Sequence, residues 1–401
     1  MVDYYKEPTV SLVESPHRHL RRFLIAMAAT ILIVASILLA SSIHSNHYGY
    51  FGPKGQFAFY NDRQAKANYL ASVPDEEFAE AFIVGSSNTM PFLPSTVERL
   101  YGLRTFNLGC FYGRAEEIWA WSNYLVRDLG KHPKLVILGV EPWTFANDDR
   151  GPPLLSTYRR TTLTSPVLAK YITEFNAPRS RLSEVLDSLT LENARMTLRM
   201  YLLKGGMRKL ESPLIEGGFN SDGTNKHYSK LEPTAFMPPK VNEFYRKFID
   251  SRPTLHQIET LTPERVNLVD SWYIRFDEIV NFLPGDRMSE QRLDYFDRAL
   301  ALLNERQVPV AIVMLPTHPY YFDMLVHYTR HIEHLEFLRK HFAELQKRYP
   351  NIQIVFDASN IALFGGDPNA FHDSFHMTPV NTDRVLVAMR QAMNWQAGGG
   401  R

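Results

Sequence analysis

A serine and, far down the chain, an Asp-x-x-His segment supply the parts of a nucleophile and its base. The serine stands in Gly85-Ser86-Ser87-Asn88-Thr89, directly after a short apolar run at 81–85 (AFIVG). A serine just past the carboxyl end of a strand, on a tight glycine-assisted turn, is where a nucleophile is exposed to a cleft. Ser86 and Ser87 are also ordinary turn residues, and either could cap a following helix. The second segment is Asp373-Ser374-Phe375-His376, entering Met377-Thr378-Pro379. A serine needs a base to take its proton, and the base needs a partner that fixes its tautomer and stabilises the imidazolium. An aspartate three residues before a histidine, on a loop entering the last helix, supplies both. The structural alternative makes Asp373 or Thr378 an N-cap and His376 a satisfied polar residue.

Elements able to position these residues follow from hydrophobic periodicity. Compact apolar runs at 81–85, 104–108, 134–140 (KLVILGV), 308–315 (VPVAIVML) and 352–357 (IQIVFD) read as buried strands. Amphipathic helix patterns occupy 115–129, 289–306, 331–349 and 379–395. Strands alternating with helices imply an α/β fold with a parallel sheet covered on both faces. Ligands of such sheets sit at the carboxyl ends of the strands. Residues 147–284 break the rhythm and read as a large, partly helical insertion after the third strand, with helix-like stretches at 181–203 and 241–249. Within it, 217–224 (GGFNSDGT) reads as a turn followed by exposed strand or loop.

The 44 Lys+Arg nearly balance the 43 Asp+Glu of the 401 residues, which argues against a broad nucleic-acid footprint. One cysteine, Cys110, leaves no intrachain disulfide framework and is a poor candidate nucleophile. Residues 23–42 (FLIAMAATILIVASILLASS) carry no charge. As a helix they would span about 30 Å, the thickness of a hydrocarbon core. Arg18, Arg21 and Arg22 precede the run and the next basic residue is Lys54. That asymmetry puts a 1–22 tail in the cytoplasm and the rest outside. The run exceeds a signal-peptide h-region of roughly 7–15 residues, so an uncleaved single-pass anchor is expected. A juxtamembrane stalk and lead-in helix (43–80) then lead to a catalytic domain at 81–401.

Taken together, the serine turn and the Asp-x-x-His block resemble the SGNH (GDSL-like) hydrolase superfamily. Its Gly-Asp-Ser-x motif follows the first strand, and Gly85-Ser86-Ser87-Asn88 matches it with Ser86 in place of the aspartate. Its last block is matched by Asp373 and His376, which makes Ser87, Asp373 and His376 the implied catalytic residues. Asn107-Leu108-Gly109-Cys110-Phe111-Tyr112-Gly113 fits the second block, and implies an oxyanion hole formed by the N–H of Ser87 with that of Gly113 or Gly109. The third block departs: Glu141 follows the third strand where the family carries a donating Asn. The resemblance implies a flavodoxin-like five-stranded parallel sheet in the order 2-1-3-4-5.

With the anchor and insertion, the chain is most similar to a divergent membrane-tethered branch that includes DltD and the alginate O-acetylation proteins. This implies extracytoplasmic acyl transfer through an acyl-Ser87 intermediate onto a polysaccharide or teichoic-acid-like acceptor, beside a multi-pass membrane O-acyltransferase. The alternatives are an esterase or deacetylase of surface glycans or lipids, and a non-catalytic scaffold. No cofactor is expected, and no metal.

Asn88, Glu141 and His318, the last of these just beyond the fourth strand, are candidates to line the cleft. His327, His331 and His334 have a spacing that could hold a metal, but a solvated His/Glu helix face is the expected reading. Trp119, Trp121, Trp143 and Tyr112 offer sugar-stacking surfaces, with core packing the commoner fate.

Overall fold

The computed structural model describes residues 16–45, 62–111, 113–146, 165–172, 219–230, 288–328, 330–372, 375–393 and 395. Asp373, Tyr112 and most of the insertion, including its two expected helices, lie outside these.

Helix α1 (Pro16–Ser45) is taken by itself. Its apolar stretch Arg18–Ala40 is long enough to cross a membrane, and its side chains are exposed. The apolar run at 23–42 therefore lies within a continuous helix.

The second unit is built on strands β1 (Ala81–Val84), β2 (Thr105–Asn107), β3 (Leu135–Val140), β4 (Val310–Met314) and β5 (Ile352–Asp357). All pair in parallel, in the order β2-β1-β3-β4-β5. Their residues alternate between two cores, because successive strand side chains point to opposite faces. Phe82, Val84, Val136, Leu138, Val310 and Ile312 belong to one core, and Ala81, Ile83, Leu135, Ile137, Ala311 and Val313 to the other. The first core is covered by α2 (Asp62–Ser72), α4 (Ala115–Asn123), α5 (Glu290–Glu305) and α7 (His331–Arg348). The second is covered by α3 (Pro94–Tyr101), α6 (Pro319–Tyr328) and α8 (Pro379–Ala392). Strands buried on both faces explain why their sequence is continuously apolar rather than alternating.

Within 43–80, read as a stalk and lead-in helix, α2 forms at Asp62–Ser72, and its Ala65, Ala67 and Leu70 lie in the main core. One expectation needs revision: of the 217–224 segment, read as a turn followed by exposed strand or loop, the described residues 219–224 are largely packed. Phe219 and Thr224 are buried, Phe219 bridges Asn225, and Asp222 O accepts the N–H of Asn107 at 2.8 Å. The part of the insertion at 219–230 is thus docked on the free edge of β2.

Candidate active site

Strand β1 ends at Val84, and the chain turns through Gly85 and Ser86 into a short 3-10 turn, Ser87–Thr89. Ser86 is the N-cap: its Oγ accepts from Asn88 N at 3.2 Å. Thr89 closes the turn by donating from Oγ1 to Ser86 O at 2.7 Å. The fully buried Thr89 side chain leans across the sheet onto Gly139 of β3. A Cβ there would lie 2.2 Å from Thr89 Cγ2, so only glycine lets the serine turn seat this closely.

His376 arrives from the opposite end of the sequence. Phe371 and Met377 form an antiparallel bridge with both side chains fully buried, and His372 N–H donates to His376 O at 2.8 Å. Thr378, at the N-terminus of α8, donates from N–H and Oγ1 to Ala370 O at 3.0 and 3.1 Å. Further along α8, Thr382 Oγ1 donates to Pro91 O at 3.1 Å, joining the histidine loop's helix to the segment after the serine turn. The result places His376 Nε2 2.8 Å from Ser87 Oγ, across 289 positions of sequence. That is hydrogen-bond reach for a base and a serine nucleophile. Tyr228, from the docked insertion segment, packs edge-on to the His376 ring at 5.3 Å, and Phe375 does so at 5.1 Å.

Glu141 follows β3 and is buried. Its Oε1 accepts from Ser86 Oγ at 2.7 Å and its Oε2 from Asn88 Nδ2 at 2.6 Å. Both oxygens are therefore engaged by the two neighbours of Ser87. Its pKa is raised by burial, an effect that the Ser86 and Asn88 hydrogen bonds and the charge of nearby His376 only partly offset. Asn88 and His318 are also buried, the latter edge-on to Phe371 at 5.4 Å, beneath the hairpin that carries His376.

The loop after β2 is organised by Asn107, which is fully buried. Its Nδ2 donates to Thr89 O at 2.9 Å and Phe92 O at 2.8 Å, and its Oδ1 accepts from Gly109 N at 2.7 Å. Both glycine N–H groups have acceptors: Gly109 donates to Asn107 Oδ1 at 2.7 Å and Gly113, over a longer 3.2 Å, to Cys110 O. A Cβ on Gly113 would sit 2.4 Å from Gly85 O, so this residue packs against the approach to the serine turn. Cys110 is buried, which pushes its thiol pKa well up and keeps it protonated.

The loop's outer side rests on residues that sequence reasoning missed. Lys66 Nζ donates to Gly109 O at 2.6 Å, Arg63 Nη2 donates to Phe111 O at 2.6 Å, and Phe111 N–H donates to Asp62 Oδ2 at 3.0 Å. Arg63 also pairs with Asp62 and with Glu117, which accepts the N–H of Arg114 at the start of α4. Two acids and two bases share this buried brace, so no charge is left without an opposite. Burial lowers the Lys66 pKa to about 8. A charge run such as Asp62-Arg63-x-x-Lys66 ordinarily marks a solvated face. The signal for burial was the alanines at 65 and 67 interleaved with it.

The remaining candidates resolve as packing. Trp121 is in the core, Trp119 Nε1 donates to Tyr171 O at 2.9 Å, and Trp143 lies under the Arg114 guanidinium at 3.8 Å. His331 and His334 are buried, not on a solvated face as the spacing suggested, because Leu335 and Leu338 turn that side of α7 inward. Among the described residues no group of three or more His, Cys, Asp or Glu could hold a metal ion. No protein-family model matches the chain, and no curated protein matches it.

Proposed function

We propose that this chain is a membrane-anchored serine enzyme of the SGNH type that moves an acyl group onto a hydroxyl through an ester on Ser87. The observation that carries the reading is the 2.8 Å contact between His376 Nε2 and Ser87 Oγ. It forms at the carboxyl ends of parallel strands, where α/β sheets bind ligands. The strand order 2-1-3-4-5 is that of the flavodoxin-like arrangement and is compatible with an SGNH fold.

In this mechanism His376 takes the Ser87 proton as Oγ attacks an ester or thioester carbonyl. Charge gathers on the carbonyl oxygen, for which the N–H groups of Ser87 and Gly113 are the proposed donors. Collapse expels the alcohol or thiol, which recovers the proton from His376. An acceptor hydroxyl then enters, loses its proton to His376, attacks the acyl carbon and regenerates Ser87. Asp373 is assigned the role of orienting His376 and steadying its positive charge.

α1 fastens the enzyme to the bilayer, with the arginine-flanked end in the cytoplasm and the sheet outside. A surface polysaccharide or teichoic-acid-like polymer is the proposed acceptor, and a multi-pass O-acyltransferase the proposed source of acyl groups. The same residues would perform hydrolysis if water replaced the hydroxyl.

The test is fluorophosphonate labelling and p-nitrophenyl acetate turnover by the full chain in detergent, for wild type, Ser87→Ala and His376→Ala. Label confined to Ser87 and lost in both variants is the expected result. Wild type that neither labels nor turns over would overturn the serine-enzyme reading and favour the scaffold. Acyl groups appearing on an added polymer would separate transfer from plain hydrolysis.

A further inference from the structure

Glu141 is a carboxylate buried one turn away from the nucleophile, in the place where an oxyanion would be least served by negative charge. The geometry explains what it does there. Its two oxygens accept from Ser86 Oγ (2.7 Å) and Asn88 Nδ2 (2.6 Å), the side chains on either side of Ser87. An amide nitrogen can only donate, so Oε2 must be an acceptor. The Ser86 hydroxyl in turn accepts from Asn88 N–H at 3.2 Å and has its one proton left for Oε1. With that proton given to Oε1 both oxygens accept and Glu141 keeps its charge, although burial raises its pKa above the ordinary carboxylate value. Asn88 commits its nitrogen to this contact at the expense of its own oxygen: Asn88 Oδ1 is buried and has no hydrogen-bond partner among the described residues. A side chain held against its own interest in this way is held by something stronger, and a charge-assisted bond to Glu141 is that interaction.

Glu141 is itself fixed. It ends β3, its N–H donates to Thr144 Oγ1 at 3.1 Å, and its carbonyl accepts Thr144 N–H at 2.9 Å. A rigid anion thus clasps the turn that presents Ser87. His376 lies close enough for its positive charge to favour ionisation of Glu141. Such coupling is reciprocal: the carboxylate must favour the imidazolium equally.

We propose that Glu141 is a positioning residue of the Ser87–His376 pair, which clasps both neighbours of the nucleophile and supplies, from β3, a second negative charge for the imidazolium. The proposal rests on the serine-enzyme reading for its role in catalysis but not for its electrostatics. The titratable groups that face His376 from the described elements include Glu141 after β3, Tyr228 with His227 behind it from the insertion, His372 from its own segment, and His318 beyond Phe371. Glu141 is the carboxylate among these groups, and Asp373, three positions before His376 in sequence, is unchanged in every variant compared.

The experiment uses the full chain in detergent, labelled with 13C at histidine Cε1, with the His376 signal identified by its loss in His376→Gln. In Glu141→Gln the His376 pKa is expected to fall by about one unit relative to wild type. Its fluorophosphonate labelling at alkaline pH, where His376 is neutral in both, is expected to fall about tenfold from loss of the clasp. Glu141→Asp keeps the charge and shortens the reach: its His376 pKa should stay close to that of wild type while labelling is still slow. That variant carries the test if the glutamine does not fold. An unchanged His376 pKa in Glu141→Gln, or wild-type labelling in both variants, overturns the proposal. A lowered His376 pKa in a chain whose wild type never labels would instead sink the serine-enzyme reading and leave the Glu141 electrostatics standing.

Discussion

Replacing Asn107 with alanine should loosen the site and the fold together, by an amount the structure allows to be worked out. The Asn107 side chain makes three close buried hydrogen bonds, to Thr89 O, Phe92 O and Gly109 N, and a longer one to Met90 O at 3.5 Å. Thr89 O retains a second donor, the N–H of Phe92 at 3.1 Å, so its loss is the lightest. Phe92 O and Gly109 N–H each lose the side-chain partner that buries them. A buried group left without a partner costs about 1–3 kcal/mol. Two such groups give roughly 3 kcal/mol, a large fraction of the typical 5–15 kcal/mol of a domain. Asn107→Asp keeps an acceptor for Gly109 but turns a charged oxygen toward two carbonyls, and should be at least as damaging. Urea unfolding of the full chain, followed by tryptophan fluorescence, measures the stability change. The rate of fluorophosphonate labelling under folding conditions measures the site. Alanine and aspartate variants both within about 0.5 kcal/mol of wild type, with unchanged labelling, would refute the idea that this side chain holds the serine turn to the glycine loop.

Other expectations follow from the same contacts. Gly139→Ala drives a methyl to within 2.2 Å of Thr89 Cγ2, and Thr89 is tied to Ser86 O, so the turn must move. Loss of roughly 1–3 kcal/mol is expected, with slower labelling, and adding Thr89→Ser should restore both by removing the obstructing methyl. His331 is held by burial at a pKa of about 4, against an ordinary 6.5. Between those values the unfolded chain binds a proton that the folded chain refuses. Its contribution to stability is therefore complete above about pH 6.5 and is lost as pH falls toward 4, by up to roughly 3 kcal/mol. His331→Leu should flatten that part of a plot of urea midpoint against pH, and an unaltered slope would refute the assignment.

The strands were legible because their chemistry is local. Runs such as VAIVM and IQIVFD have no reading other than a buried strand once helices flank them, and β5 begins and ends where its pattern does. The serine and histidine segments were legible as parts, but their meeting depended on the strand order, which no local pattern encodes. The brace behind the glycine loop was hidden for a related reason. Asp62, Arg63 and Lys66 are polar, and polar residues beside a membrane anchor read as solvated. Their burial depends on acceptors 43 to 54 positions away. Glu141 was visible as a departure, but its purpose was not, because Ser86 and Asn88 meet it only after β1 and β3 pair. The docked segment at 219–230 offered turn residues alone, and turn residues do not say what they turn against.

That segment has a consequence for how the molecule behaves in company. An open parallel sheet has two edges, each a row of backbone groups ready to recruit a strand from a neighbouring chain. At β5 the invitation is blunted by exposed Gln353 and by Asp357 paired with Arg339. At β2 backbone N–H groups are taken up instead: that of Thr105 donates to Glu98 Oε1 at 3.1 Å and that of Asn107 to the carbonyl of Asp222 at 2.8 Å. The docked segment therefore covers an edge open to self-association as well as flanking His376. A chain shortened there to reach a simpler sheet would trade a covered edge for a sticky one.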